Sequence, residues 1–154
     1  MKITEFLIAE AIIASLKSTD KQGVIKEMVE SLTRNGQVKD TKHTVDVLLE
    51  REKLGSTGIG QNIAVPHAKS DELNNLILAV GISEKGVDFD ALDGDPVHII
   101  FLVLAPVDAT GMHLKLLARI ARLLKDKIFR NSLRNCKSAD EIYRTIKEED
   151  ERAA

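Results

Sequence analysis

VHIIFLVLA, residues 97–105, is an unbroken apolar run around a single histidine. A membrane-spanning helix needs about 20 apolar residues, roughly twice this length. A strand with one wet face would alternate, and this run does not. It reads as a strand covered on both faces. LILAVGI, residues 76–82, has the same character. The intervening SEKGVDFDALDGDP (83–96) is enough for a turn or small ribbon but offers no convincing helix, so the two strands need not be parallel.

Downstream of Pro106, VDATGMHLKLLARIARLLKD (107–126) sets Leu116, Leu117, Ile120, Leu123 and Leu124 on one helical stripe. Residues 127–136 and 138–151 add two helical segments, the second opened by Ser138 with Glu141 in a capping arrangement. Upstream, Thr19 or Asp20 caps a helix whose inward stripe is Val24, Ile25, Met28, Val29 and Leu32. Asn35-Gly36 suits a left-handed stop. Asp40 then caps a helix with Val45, Leu48 and Leu49 facing inward and Arg51 near its end. KITEFLIAEAIIASL (2–16) mixes alternation with apolar runs and predicts one or two short strands. Helices before and after buried strands predict an α/β fold: a three-layer sandwich, a mixed β-sheet with helices on both faces, as one domain over residues 1–154.

Composition narrows the partners. Lys+Arg 22 against Asp+Glu 24 gives a net charge of -2, with no broad pull toward nucleic acid or anionic lipid. Aromatic residues are only 3%, too few for a base-stacking platform. Cys136 is the single cysteine, which excludes an intrachain disulfide and a thiolate cluster. Glu5 and Glu10 interrupt the apolar stretch a signal peptide needs, so a cytoplasmic location is expected.

The chemistry centres on GIGQNIAVPHAK, residues 58–69, read as a strand that stops at Pro66 and presents His67. Proline fixes φ and lacks a ladder donor, so an edge or an exit near solvent is expected. Packing and function are both open for His67 on position alone. His113 stands in the first turn of its helix on the inward stripe. It reads either as a satisfied core residue or as an imidazole beside an anion held at the helix N-terminus. His43 is expected to be solvated and His98 to be a hydrogen-bonded structural residue. No two histidines have the i, i+4 spacing of a helical metal site, so no metal is expected. GSTGIG (55–60) offers the hydroxyls of Ser56 and Thr57 to a phosphoryl group. It lacks the Gly-Lys-Ser/Thr ending of a P-loop, and Ile63 stands where a dinucleotide fingerprint has its third glycine.

REKLGSTGIGQNIAVPHAK (51–69), followed by HLKLLARIARLLKD (113–126), resembles the type-2 enzyme IIA domains of the bacterial phosphoenolpyruvate-dependent phosphotransferase system. The resemblance runs essentially end to end, with GVDFDALDGDPVHIIFLVLAP (86–106) between the two motifs. It implies that His67 is the phosphorylated histidine, His113 the second active-site histidine and Arg51 the active-site arginine. In that scheme Ser56, Thr57 and backbone amides are expected as lesser hydrogen-bond donors to the phosphoryl group. It also implies phospho-HPr as phosphoryl donor and an enzyme IIB cysteine as acceptor, with no cofactor, no Mg²⁺ and at most a peripheral association with a membrane permease. Cys136 has no phosphate-cradling loop after it, so it is read as structural and not as that acceptor. The chain is then expected to be a free-standing IIA domain. The class covers fructose and mannitol systems and nitrogen-regulatory members. The acidic-aromatic turn GVDFDALDGDP (86–96) favours a fructose-like sugar system, with a nitrogen-regulatory protein as the alternative.

Overall fold

The computed structural model describes residues 1–153. The long apolar run forms β5 (Val97–Pro106), and every residue of it is buried. β4 (Ile77–Val87) lies antiparallel along one edge of β5. Two short strands, β2 (Ile63–Ala64) and β3 (His67–Ser70), lie parallel to β5 in line along its other edge, and β1 (Gly58–Gly60) pairs antiparallel with β2. Among the described residues the fold is α/β with a mixed sheet and five α-helices: α1 (Lys21–Arg34), α2 (Thr41–Lys53), α3 (Thr110–Leu123), α4 (Lys127–Asn135) and α5 (Ala139–Arg152).

The helix boundaries follow local chemistry. Asp20 and Asp40 accept the amides of Gly23 and His43, and Ser138 accepts that of Glu141. α1 ends with Gly36 at φ 76°, where the Gly36 amide reaches the Thr33 carbonyl and the Gln37 amide reaches Leu32. That pair of bonds satisfies two carbonyls the helix end would leave open. The predicted stripes are the buried ones, except that Leu49 and Leu117 are only partly covered. Alternate residues of β5 feed two apolar clusters. Ile100, Leu102 and Leu104 pack with Leu32 of α1 and Leu48 of α2, whereas Ile99, Phe101 and Val103 pack with Leu116, Phe129 and Ile142 of α3–α5.

Two expectations are corrected. The N-terminal stretch forms no strand. It holds two short 3-10 turns, Ile3–Glu5 and Ala9–Ala11, with isolated parallel bridges from Leu7 to Leu78 and Ile13 to Gly81. Its apolar residues anchor it on β4, but the turns between them prevent a continuous ladder.

The stretch 58–69 is likewise three strands and not one. Gln61 and Asn62 both take positive φ, 56° and 67°, the requirement of the tight turn joining β1 to β2. Among side chains Asn tolerates that backbone best, whereas Gln is uncommon there. Here the Asn62 amide group donates to the Pro96 carbonyl at 2.7 Å, and the Gln61 backbone amide donates to Asp93. Val65 and Pro66 then step out of the ladder. Pro66 offers only its carbonyl, which accepts from the Val103 amide at 2.9 Å. His67 therefore opens β3 instead of closing a strand. Its register partner is Val103, well inside β5, so the edge position is as expected but the chain does not leave the sheet there.

Candidate active site

The edge strand β3 runs between the end of α2 and the start of α3, and a solvent-open cleft lies there. Val47, Arg51 and Leu54 come from the α2 side, His67 and Lys69 from β3, and His113 from α3. His67 and His113 meet edge to face, with ring centroids 5.7 Å apart and planes inclined by 74°.

His67 is half-buried, and its Nδ1 lies 2.7 Å from the Val65 carbonyl oxygen. A carbonyl only accepts, so Nδ1 carries the proton in this contact and Nε2 keeps its lone pair. The break at Val65-Pro66 creates this geometry, because it turns the Val65 carbonyl toward the ring instead of into a ladder. The result is an imidazole with fixed tautomer and a free nucleophilic nitrogen.

His113 is 4% exposed, and its Nε2 is buried with no hydrogen-bond partner among the described residues. Buried polar atoms are ordinarily paired, so an orphan beside a cleft marks a place for an incoming group. The helix end is similarly open: Ala109 at the N-cap has no side-chain oxygen to satisfy the first amides of α3. Burial lowers the His113 pKa below its ordinary 6.5, helped by the neighbouring His67 and the Lys69 charge. The ring is thus neutral at pH 7. Ring-proton NMR should show His113 titrating below 6.5, and Lys69→Met should move that titration upward. No upward movement would mean that the Lys69 charge is not felt at the ring.

Arg51 donates from Nη1 to the Gly55 carbonyl at 2.9 Å and forms no ion pair with a carboxylate among the described residues. Its charge is available to an anion. Lys69 was not singled out from sequence. Its Nζ donates to Thr110 Oγ1 at 2.8 Å, tying β3 to the first turn of α3. The available signal was its i+2 spacing from His67, which on a strand means the same face.

Ser56 and Thr57 stand apart from this cleft. The Ser56 hydroxyl donates to the Phe89 carbonyl, and the buried Thr57 hydroxyl donates to Glu52. Both are occupied in holding the loop. His98 is buried, with Nδ1 2.8 Å from the Ser83 carbonyl. The amides of His98 and Ile99 both donate to the Asn62 carbonyl, and the β4–β5 register is irregular between Ile82 and Val87, opposite His98. His43 is half-buried rather than fully solvated. Cys136 donates to the Ser132 carbonyl and packs on the α3–α5 cluster. Among the described residues there is no group of three or more His, Cys, Asp or Glu side chains able to hold a metal ion, and no helix is long and apolar enough to cross a membrane.

Residues 5–149 match the family model described as phosphoenolpyruvate-dependent sugar phosphotransferase system, EIIA 2. The chain is 39% identical over 150 residues to the fructose-specific EIIABC component of Bacillus subtilis, covering 97% of this chain but 24% of that protein. It is 38% identical over 147 residues to a nitrogen regulatory protein of Bradyrhizobium diazoefficiens, covering 95% of each. The crystal structure of nitrogen regulatory protein IIA-Ntr from Neisseria meningitidis superposes with a TM-score of 0.86 at 34% identity, over 94% of this chain and 98% of that one.

Proposed function

The chain belongs to the type-2 EIIA family of the phosphotransferase system and is a phosphocarrier component of it; we propose that His67 Nε2 is the atom that carries the phosphoryl group. The free lone pair on Nε2, enforced by the Nδ1 bond to Val65, is the observation behind this reading. Nε2 attacks phosphorus in line as the bond to the donor's phosphohistidine nitrogen breaks, so one P–N bond forms for each one lost. Positive charge grows on the His67 ring during attack, and the Val65 carbonyl oxygen on its Nδ1–H stabilises it. The phosphoryl oxygens come under the charge of Arg51 and the N–H of a neutral His113, whose Nε2 has no other partner. Because donor and product are both phosphohistidines, the step needs little driving force and runs both ways.

The two apolar clusters on either side of β5 support a helix–sheet–helix sandwich within one domain, with the cleft at its exposed edge. Exposed apolar side chains surround that edge, among them Leu54 at 84% and Leu114 at 62%. We assign this face to the docking of phospho-HPr and of the acceptor.

The fructose-like expectation gives way to its alternative. The 0.86 superposition on a nitrogen-regulatory protein and the match over 95% of the Bradyrhizobium relative favour a regulatory role. In that role, phosphorylation of His67 controls binding to target proteins. The 39% identity to the fructose component keeps a sugar-transport role as the second reading.

The test is incubation with phosphoenolpyruvate, enzyme I and HPr, followed by mapping of the adduct. An acid-labile phosphoryl group on His67 is expected, and no adduct would overturn the reading. Mixing the phosphorylated protein with a fructose-type IIB domain separates the two roles. Retention of the group on His67 is expected, and rapid transfer to the IIB cysteine would restore the sugar reading.

A further inference from the structure

Glu52 is a carboxylate kept from water next to the cleft without lining it. Its side chain is 3% exposed. One oxygen accepts the Thr57 amide at 3.0 Å and pairs with Lys21 Nζ at 3.2 Å, and the other accepts the Thr57 hydroxyl. Lys21 is in turn seated over the Phe89 ring, 5.1 Å from its centroid. Burying an ion pair carries a desolvation penalty that an apolar filling would avoid, so stability alone is a weak reason for this network.

What the network grips is the loop between α2 and β1. Glu52 holds Thr57, at the loop's far end. The Ser56 hydroxyl is anchored on Phe89 and accepts the Gly58 amide. Gly55, at the near end, takes φ 146°, and its carbonyl accepts from Arg51. A path of direct contacts therefore runs from Lys21 through Glu52 and Thr57 to the loop, and from the Gly55 carbonyl to the guanidinium at the cleft.

We propose that Glu52 is a positioning residue for phosphoryl transfer, holding Arg51 beside His67 through Thr57 and the Gly55 carbonyl. The inference rests on the reading of His67 as acceptor and Arg51 as its cation. Small displacements of a charge-bearing group are costly to transfer rates, whereas docking of a protein donor depends on the whole face.

The experiment is a double-mutant cycle on the rate of His67 phosphorylation by phospho-HPr, with folding followed by thermal melts. Glu52→Gln is expected to lower kcat about 10-fold with the KM for phospho-HPr unchanged within about twofold. Arg51→Ala should lower kcat at least as much. In the Arg51→Ala background, Glu52→Gln should cost nothing further, because there is no guanidinium left to place. An unchanged kcat in Glu52→Gln would overturn the proposal, as would the same 10-fold loss in both backgrounds. Should Glu52→Gln fail to fold, Thr57→Val cuts the hydroxyl bond instead and is read in the same cycle. Normal kcat in Arg51→Ala with an intact His67 adduct would remove the Arg51 assignment and this proposal together. Absence of any wild-type adduct is a different result and removes the phosphocarrier role of His67.

Discussion

His67→Ala is expected to abolish phosphorylation by phospho-HPr, with a fall of at least ~10⁴-fold as the nucleophile is lost. No other imidazole can take over. His113 is buried in the cleft wall, His98 is buried with its Nδ1 held by Ser83, and His43 sits in the first turn of α2, away from the cleft. The loss of the Val65 hydrogen bond costs stability only on the order of 1 kcal/mol, so the variant should fold and melt a few degrees lower. Mass measurement of the intact protein after incubation with phosphoenolpyruvate, enzyme I and HPr makes the comparison. An acid-labile adduct that persists in His67→Ala would place the chemistry elsewhere.

The second large effect is on rate. His113→Ala should fold, because Leu116, Ile120 and Leu123 still fill the inward face of α3. Phosphoryl transfer should slow by about 10²-fold, the usual loss for one donor to a developing anion. His113→Gln keeps an N–H at a similar reach and should recover part of that loss, which simple cavity damage would not allow. A normal rate in His113→Ala would leave the residue a purely structural part. The stability of the two proteins should also separate with pH. With its folded pKa lowered, His113 contributes stability present above its ordinary 6.5 and lost as pH falls through the folded value. That contribution disappears in the alanine variant, so the gap between the two melting curves narrows as the solution is acidified.

Periodicity located the two helices before the sheet and the three after it, because a helix buried on one side must repeat its apolar residues at three and four. It located β4 and β5 for a similar reason, since strands covered on both faces have no polar positions. It failed where apolar character and backbone conformation part company. Gly60 stands just before Gln61 and Asn62, but the left-handed backbone at both of them is sustained by bonds to Asp93 and Pro96, more than 30 residues away. The N-terminal stretch has strand-like composition but meets β4 only at single bridges. Ser56 and Thr57 read from sequence as hydrogen-bond donors to a phosphoryl group because nothing local in the chain shows that Phe89 and Glu52 already hold them.

The amino-acid sequence by itself determined the helices and the buried strands, because each rests on neighbours within a few positions, and its resemblance to a known family put forward His67, His113 and Arg51 as the site residues. Only the tertiary structure decided what those residues can do. It set the two rings 5.7 Å apart, turned the Val65 carbonyl onto Nδ1, left His113 Nε2 without a partner and brought Lys69 to Thr110 across 41 positions of chain. Each of these depends on which surfaces pack together, and local pattern carries no record of the distant partner.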